Sequence, residues 1–137
     1  MYAGDVTPEE AFAALSADPD AVLVDVRTHP ELVYVGFPDL AQIGKRLIAV
    51  EWQTYPQGMQ NPSFVQNLRD AGVDETQTVY FLCRSGGRSR AAAMLATQAG
   101  FAKAYNVGSG FEGVVDNDGH RGSQNGWKAS GLPWRQG

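Results

Sequence analysis

Short, almost unbroken apolar runs alternate along the chain with segments whose apolar residues recur at helical spacing. The clearest runs are residues 21–26, 47–50, 78–82 and 104–107. Such runs are typical of parallel strands that are covered on both faces. Strands that alternate with helices predict an α/β sandwich around a mostly parallel sheet.

Capping residues, prolines and glycines mark the predicted helices. Thr7 can cap a first helix, and Pro8 suits its first position. Asn61 and Pro62 repeat this signal before a second helix, which Gly72 is suited to end. A third helix is predicted after the run that ends at residue 82, over an alanine-rich stretch.

Other segments carry weaker signals. Residues 27–31 are predicted to leave the first buried strand as a loop, and residues 32–46 favour no particular element. The tail from Gly108 is rich in glycine and predicted to be irregular. Trp127 and Trp134 are expected to pack this tail back onto the body.

Composition narrows the class of protein. The 137 residues fit one domain, 1–137, and a hydrophobic content of 43% argues against disorder. A net charge of -4 would repel a nucleic-acid backbone, so no nucleic-acid partner is expected. No apolar run approaches the length of a membrane span, and residues 1–6 show no signal-peptide pattern. No membrane partner and a cytoplasmic location are therefore expected.

Cys83 is the only cysteine of the chain. An intrachain disulfide, a CxxC redox pair and a multi-thiolate zinc site are therefore excluded. His29 and His120 are the only histidines, and two isolated histidines rarely form a metal site, so no metal is expected. Because the chain has no resolving thiol, an adduct on Cys83 must be passed to another molecule.

Cys83 lies where a buried strand ends and a helix is about to begin, a place where parallel sheets bind ligands. The next six residues can curl so that their N–H groups form an anion-binding nest; they are Arg84, Ser85, Gly86, Gly87, Arg88 and Ser89. The two arginines add positive charge, which favours the nucleophilic thiolate. The alternative is a small, buried and inert thiol.

The stretch 83–89 resembles the active-site loop of the rhodanese superfamily of sulfurtransferases. Residues 24–27, which include Asp25 and Arg27, are similar to the family's early Asp-x-Arg segment, and Glu31 to its downstream acid. Residues 104–111 resemble the strand and glycine turn after the active-site helix. The resemblance covers most of the chain from about Ala21 onward. It implies a rhodanese-like three-layer sandwich, with about five mostly parallel strands and helices on both faces.

The resemblance also implies a two-step sulfur transfer that needs no metal or organic cofactor. Cys83 would take the outer sulfur of an anionic donor such as thiosulfate and become a persulfide. Cyanide, a thiol or an acceptor protein would then remove that sulfur. Arg84 and Arg88 would hold the donor, while the loop N–H groups would stabilise charge on sulfur. Ser85 and Ser89 are candidate donors to the thiolate, although Ser89 could equally cap the helix.

Asp25, Arg27 and Glu31 are candidate supports for the site. Arg27 and Glu31 are predicted to form a partly buried ion pair that fixes the loop after the strand. A catalytic role for the three residues is the alternative. Trp52 and Tyr55 are expected to pack in the core, with pocket lining as the alternative.

Two other functions stay open. A cysteine phosphatase loop needs five residues between cysteine and arginine, whereas four separate Cys83 from Arg88 and six separate it from Arg90. Leu82 also stands where phosphatases usually have histidine. A non-catalytic module or a partner-dependent persulfide carrier is the second alternative. Departures from the family pattern at 32–55, at the glycine turn 108–110 and at 116–126 suggest a distinct subgroup.

Overall fold

The computed structural model describes residues 1–136 and contains one five-stranded sheet and one two-stranded sheet. The strands, in chain order, are β1 (Gly4–Val6), β2 (Val22–Asp25), β3 (Phe37–Pro38), β4 (Ile48–Ala49), β5 (Val79–Leu82), β6 (Ala104–Val107) and β7 (Trp134–Arg135). The large sheet has the order β1-β6-β5-β2-β4, and every pairing in it is parallel. The prediction of a mostly parallel sheet of about five strands is confirmed.

Four α-helices and one 3-10 turn connect these strands. They are α1 (Pro8–Ala17), α2 (His29–Tyr34), the 3-10 turn Ala41–Ile43, α3 (Phe64–Asp70) and α4 (Gly87–Gln98). Thr7 caps α1 as predicted, because its hydroxyl accepts the N–H of Glu10 at 3.0 Å. None of the helices in the described part of the chain combines the length and apolarity that a membrane crossing requires.

The side chains of β5 alternate between two apolar cores. Val79 and Phe81 pack on one face of the sheet with residues of α3 and α4, whereas Tyr80 and Leu82 pack on the other with α1 and the tail. Both faces of β5 are therefore covered, which is why its sequence is apolar without interruption. The three-layer sandwich is confirmed, and Cys83 continues the alternation on the α4 side.

Part of the chain differs from the prediction. The predicted loop 27–31 holds for residues 27 and 28 but not for 29–31, because α2 begins at His29 and its first turn is closed by Glu31, whose Oε1 accepts the N–H of Thr28 at 3.1 Å. Three strands, β1, β3 and β7, were not predicted from the sequence. They have only two or three residues each, too few for an alternating pattern to be visible.

The aromatic residues of the tail have different environments. Trp127 is fully buried and donates its indole N–H to the carbonyl of Pro133 at 2.7 Å, which anchors the tail as predicted. Trp134 is 40% exposed and belongs to β7. Trp52 packs edge-on against Phe64, whereas Tyr55 is 61% exposed, so the prediction of core packing is wrong for Tyr55.

Candidate active site at the Cys83 loop

Cys83 follows directly after β5, and its sulfur is approached by two polar groups of the loop. The N–H of Gly86 donates to Sγ at 3.1 Å, and the hydroxyl oxygen of Ser89 lies 3.2 Å from it. The residue is only 1% exposed and also contacts the apolar core on the α4 side. The sulfur is therefore buried, but a backbone amide and a hydroxyl oxygen lie against it.

Most N–H groups of the loop are free to bind an anion. Those of residues 84, 85, 87, 88 and 89 have no acceptor among residues 1–136. The last three belong to the first turn of α4, where N–H groups lack helical partners and the helix dipole is positive. The loop therefore offers open donors beside the sulfur.

A glycine turn supports the loop from behind. Gly86 has a φ of +110°, and a Cβ at this position would overlap the carbonyl oxygen of Gly108. A Cβ on Gly110 would lie 2.5 Å from the carbonyl oxygen of Cys83. The main chain of the loop and that of residues 108–110 therefore pack so closely that only glycine fits at both positions.

Arg88 is held by Glu31 of α2. Its Nη1 donates to Oε1 at 2.7 Å and its Nη2 to Oε2 at 2.9 Å, a bidentate pair whose side chains are 21% and 22% exposed. Burial raises the pKa of the Glu31 carboxyl, but hydrogen bonds from Arg88 and Thr28 outweigh this effect and lower that pKa to about 2. The pair links α2 to the first turn of α4.

The predicted ion pair between Arg27 and Glu31 is wrong. Arg27 pairs instead with Asp25, with Nη2 2.7 Å from Oδ2, and both side chains are fully buried. Residues two apart in an extended segment project to the same side, so Arg27 reaches Asp25, whereas Glu31 lies on a helix that faces α4. The Arg27 guanidinium also donates to the carbonyl of Gly36 and lies 4.3 Å from the centroid of the Phe111 ring.

The other predicted loop residues occupy different positions around the sulfur. Arg84 is exposed, and its guanidinium forms no hydrogen bond or ion pair with the part of the chain that is described. Ser85 is half-buried. Gly87 is exposed at the start of α4, and a Cβ there would meet open space. Arg84 is therefore the loop guanidinium that is open to a ligand.

Two residues that were not predicted extend the polar contacts of Ser89. Its hydroxyl lies 2.6 Å from Oδ1 of Asn106, a residue of β6 that is 2% exposed. The Nδ2 of Asn106 donates to Oδ1 of Asp5 on β1 at 2.9 Å. A polar side chain within an apolar strand run was the available signal for Asn106, whereas Asp5 gave none because β1 was not predicted.

A cavity of about 590 Å³ lies elsewhere, against α2, β3 and β4. None of its lining residues belongs to the stretch 83–89, and its walls combine apolar with charged side chains. Lys45, one of its cations, is occupied by the carbonyls of Asp18, Pro19 and Ala21. No cysteine, serine or threonine lines this cavity, so the Cys83 loop is the candidate site.

A parallel sheet with helices on both faces, and a cysteine loop between its central strand and the next helix, define a rhodanese-like domain. The chain belongs to the STR4 middle domain family, whose sequence profile matches residues 3–137. It is 30% identical over 132 residues to rhodanese-like domain-containing protein 4, chloroplastic, from Arabidopsis thaliana. The matched region covers 96% of this chain and 25% of that protein.

Two solved structures share the fold. The crystal structure of Rv0390 from M. tuberculosis is 52% identical, covers 100% of both chains and has a TM-score of 0.91. The solution structure of the 30 kDa polysulfide-sulfur transferase homodimer from Wolinella succinogenes covers 97% of this chain and 78% of that chain, with a TM-score of 0.65. Its identity is 23%, so it is similar in fold.

Proposed function

We propose that this chain is a sulfurtransferase that carries a sulfane sulfur on Cys83 between an anionic donor and a thiophilic acceptor. The observation that carries the proposal is the surroundings of the sulfur. The Gly86 N–H lies 3.1 Å from Sγ, beside a row of loop amides with no acceptor in residues 1–136. The polysulfide-sulfur transferase of the same fold supports a sulfane-sulfur substrate.

The transfer proceeds in two balanced steps. The Cys83 thiolate attacks the outer sulfur of thiosulfate, an S–S bond forms, and the bond to the sulfite sulfur breaks so that sulfite leaves with its electron pair. Cyanide then attacks the outer sulfur of the persulfide, thiocyanate departs, and the electron pair returns to Sγ. A thiol acceptor gives a new persulfide by the same displacement. Neither step consumes an oxidant or a reductant.

The two arginines of the loop have different tasks in this proposal. Arg84 is exposed and receives the anionic end of the donor. Both terminal nitrogens of Arg88 are engaged by Glu31, so Arg88 contributes positive charge near the sulfur without having to grip the donor. The loop amides stabilise the charge that moves between the two sulfurs.

Intact-mass measurement tests the central step. After incubation with thiosulfate or polysulfide, the chain is expected to gain one sulfur atom, and cyanide should remove it with the release of thiocyanate. Cys83→Ser is the matched control and should gain nothing while keeping its fold. A wild-type chain that gains no sulfur from either donor contradicts the proposal.

The same experiment separates the alternatives. Rapid loading with slow thiocyanate release would indicate a persulfide carrier that needs a protein acceptor. Hydrolysis of an aryl phosphate without sulfur loading would indicate a phosphatase. A phosphatase requires an arginine that binds the phosphate, whereas both terminal nitrogens of Arg88 donate to Glu31.

Arg84→Ala tests the assignment of the donor contact. We expect it to raise the thiosulfate concentration for half-maximal loading about tenfold, because the donor loses about one charge-assisted hydrogen bond. Arg90→Ala, an equal charge change on the exposed side of α4, is the control and should have a much smaller effect. Equal effects of the two variants would exclude a direct contact by Arg84.

A further inference from the structure

A line of polar side chains connects the buried sulfur to the protein surface. It runs from Cys83 through Ser89 and Asn106 to Asp5, and the first three residues are 1%, 0% and 2% exposed. Asp5 is exposed and lies on β1, at the edge of the sheet. The mechanism described above does not use this line.

One arrangement of the hydrogens satisfies every contact along the line. A carboxylate oxygen accepts and does not donate, and Oδ1 of Asp5 accepts from both the Tyr2 hydroxyl and Nδ2 of Asn106, each at 2.9 Å. The Asn106 amide is thereby oriented with its Oδ1 toward Ser89. Because Oδ1 can only accept, the contact of 2.6 Å must contain the single hydroxyl hydrogen of Ser89.

Ser89 consequently presents lone pairs, not its hydrogen, to the sulfur. A thiol satisfies this arrangement completely, because Cys83 then donates S–H to Ser89 and accepts the N–H of Gly86. A thiolate would face the lone pairs of the Ser89 oxygen, unless Ser89 turned its hydrogen away from Asn106. The line of side chains therefore places an acceptor against the sulfur, whereas the loop amides place donors there.

We propose that Asp5 is a positioning residue that, through Asn106, holds the Ser89 hydroxyl as an acceptor toward Sγ of Cys83 and so lowers the reactivity of that sulfur. Ser89 would then restrain the nucleophile instead of activating it. The inference rests on the proposed function only in taking Cys83 as the nucleophile, because alkylation of the sulfur needs no sulfur donor. A chain that fails to load sulfur can still pass or fail this test.

Other charged groups near the sulfur stay the same in the test. They are Arg84 of the loop, Arg88 of α4 with its partner Glu31 of α2, and the buried pair of Asp25 and Arg27 at the end of β2. At the outer end, Arg90 lies 6.0 Å from the centroid of the Tyr2 ring. Since all variants retain these groups, they cancel from the comparison.

Ser89→Ala tests whether the Ser89 hydroxyl acts as an acceptor toward the sulfur or as a donor to it. Cys83 is the only cysteine, so the rate of iodoacetamide alkylation across the pH range reports on it alone. We expect Ser89→Ala to raise the rate at neutral pH about three- to tenfold, which is the contribution of about one hydrogen bond. A lowered or unchanged rate means that Ser89 does not act as the acceptor and overturns the proposal.

Asp5→Ala tests the end of the line that is farthest from the sulfur. Asp5 is exposed, so this substitution should leave the fold intact. It is expected to raise the rate about two- to fivefold, because Asn106 is then free to turn and release the Ser89 hydrogen. In the Ser89→Ala background the same change should have little effect. A full effect there would show plain charge repulsion between Asp5 and the thiolate, which overturns the proposal.

Asp5→Asn is the conservative variant for this end of the line. Its carbonyl oxygen can still accept from Asn106, so its rate should lie closer to wild type than that of Asp5→Ala. Circular dichroism of each variant verifies the fold. If Asp5→Asn matches Asp5→Ala, the charge of residue 5 and not its acceptor geometry controls the sulfur, and the proposal is wrong.

Discussion

The two sides of the Cys83 loop are held by different kinds of interaction. On one side, the main-chain N–H groups of Phe111, Glu112 and Gly113 donate to the carbonyls of Cys83 and Arg84 at 2.8, 2.9 and 3.2 Å. On the other side, the loop is joined to α2 by the single bidentate pair between Arg88 and Glu31. We refer to these as the backbone side and the ionic side.

The backbone side fixes the shape of the loop, because main-chain hydrogen bonds neither titrate nor change rotamer. It rests in turn on the core, where the Arg27 guanidinium lies against the Phe111 ring. The ionic side sets the charge beside the sulfur, and its partly exposed groups respond to pH and salt. Shape and charge of the site are thus supported separately, and each can be broken without the other.

Asp25→Asn should have the largest effect, because it breaks the support beneath the backbone side. It leaves the guanidinium of Arg27 buried without its counter-charge, and Nη1 of that group already lacks a hydrogen-bond partner in the described residues. We expect a loss of about 3–5 kcal/mol in the free energy of unfolding. Urea unfolding followed by tryptophan fluorescence measures it. A loss no greater than that of Glu31→Gln would mean that the buried pair is not the stronger support.

Gly86→Ala should come second, because it acts on the contact between the loop and the glycine turn. The positive φ disfavours alanine, and its Cβ would overlap the carbonyl oxygen of Gly108. We expect a loss of about 2–4 kcal/mol from the two effects together. Gly87→Ala is the matched control, since a Cβ there meets open space, and its unfolding free energy should stay close to wild type. Equal losses in the two variants would contradict the close packing of Gly86.

The inner strands and the Cys83 loop could be predicted because their signals are local. The apolar run before Cys83 and the two glycines and two arginines after it lie within about a dozen consecutive residues. They predicted β5, the following helix and the position of the sulfur at the end of the strand. The capping signal of Thr7 and Pro8 predicted α1 in the same way.

The partners of the charged and polar site residues could not be predicted, because they depend on which distant elements meet. Glu31 reaches Arg88 across 57 positions, after α2 has packed near α4. Asn106 reaches Asp5 across 101 positions, through the pairing of β6 with the three-residue strand β1. A lone ionisable residue shows in the sequence that it needs a partner, but not which one it finds.

Lowering the pH should weaken the ionic side alone and gives the smallest expected effect. The pKa of Glu31 falls from 4.5 to about 2 in the folded chain, so its carboxylate adds stability that is fully present above about pH 4.5 and is lost as the pH falls through about 2. We expect Glu31→Gln to remove about 1–3 kcal/mol at neutral pH, the upper end lying just below this pKa difference converted to free energy. The difference in unfolding free energy between wild type and variant should then shrink toward acid pH, because every other carboxylate titrates in both proteins.

High salt should reduce the neutral-pH difference, whereas the loss caused by Gly86→Ala should not change with salt. A difference between wild type and Glu31→Gln that is undiminished at pH 2 would show that Glu31 stabilises the loop by packing and not by its charge.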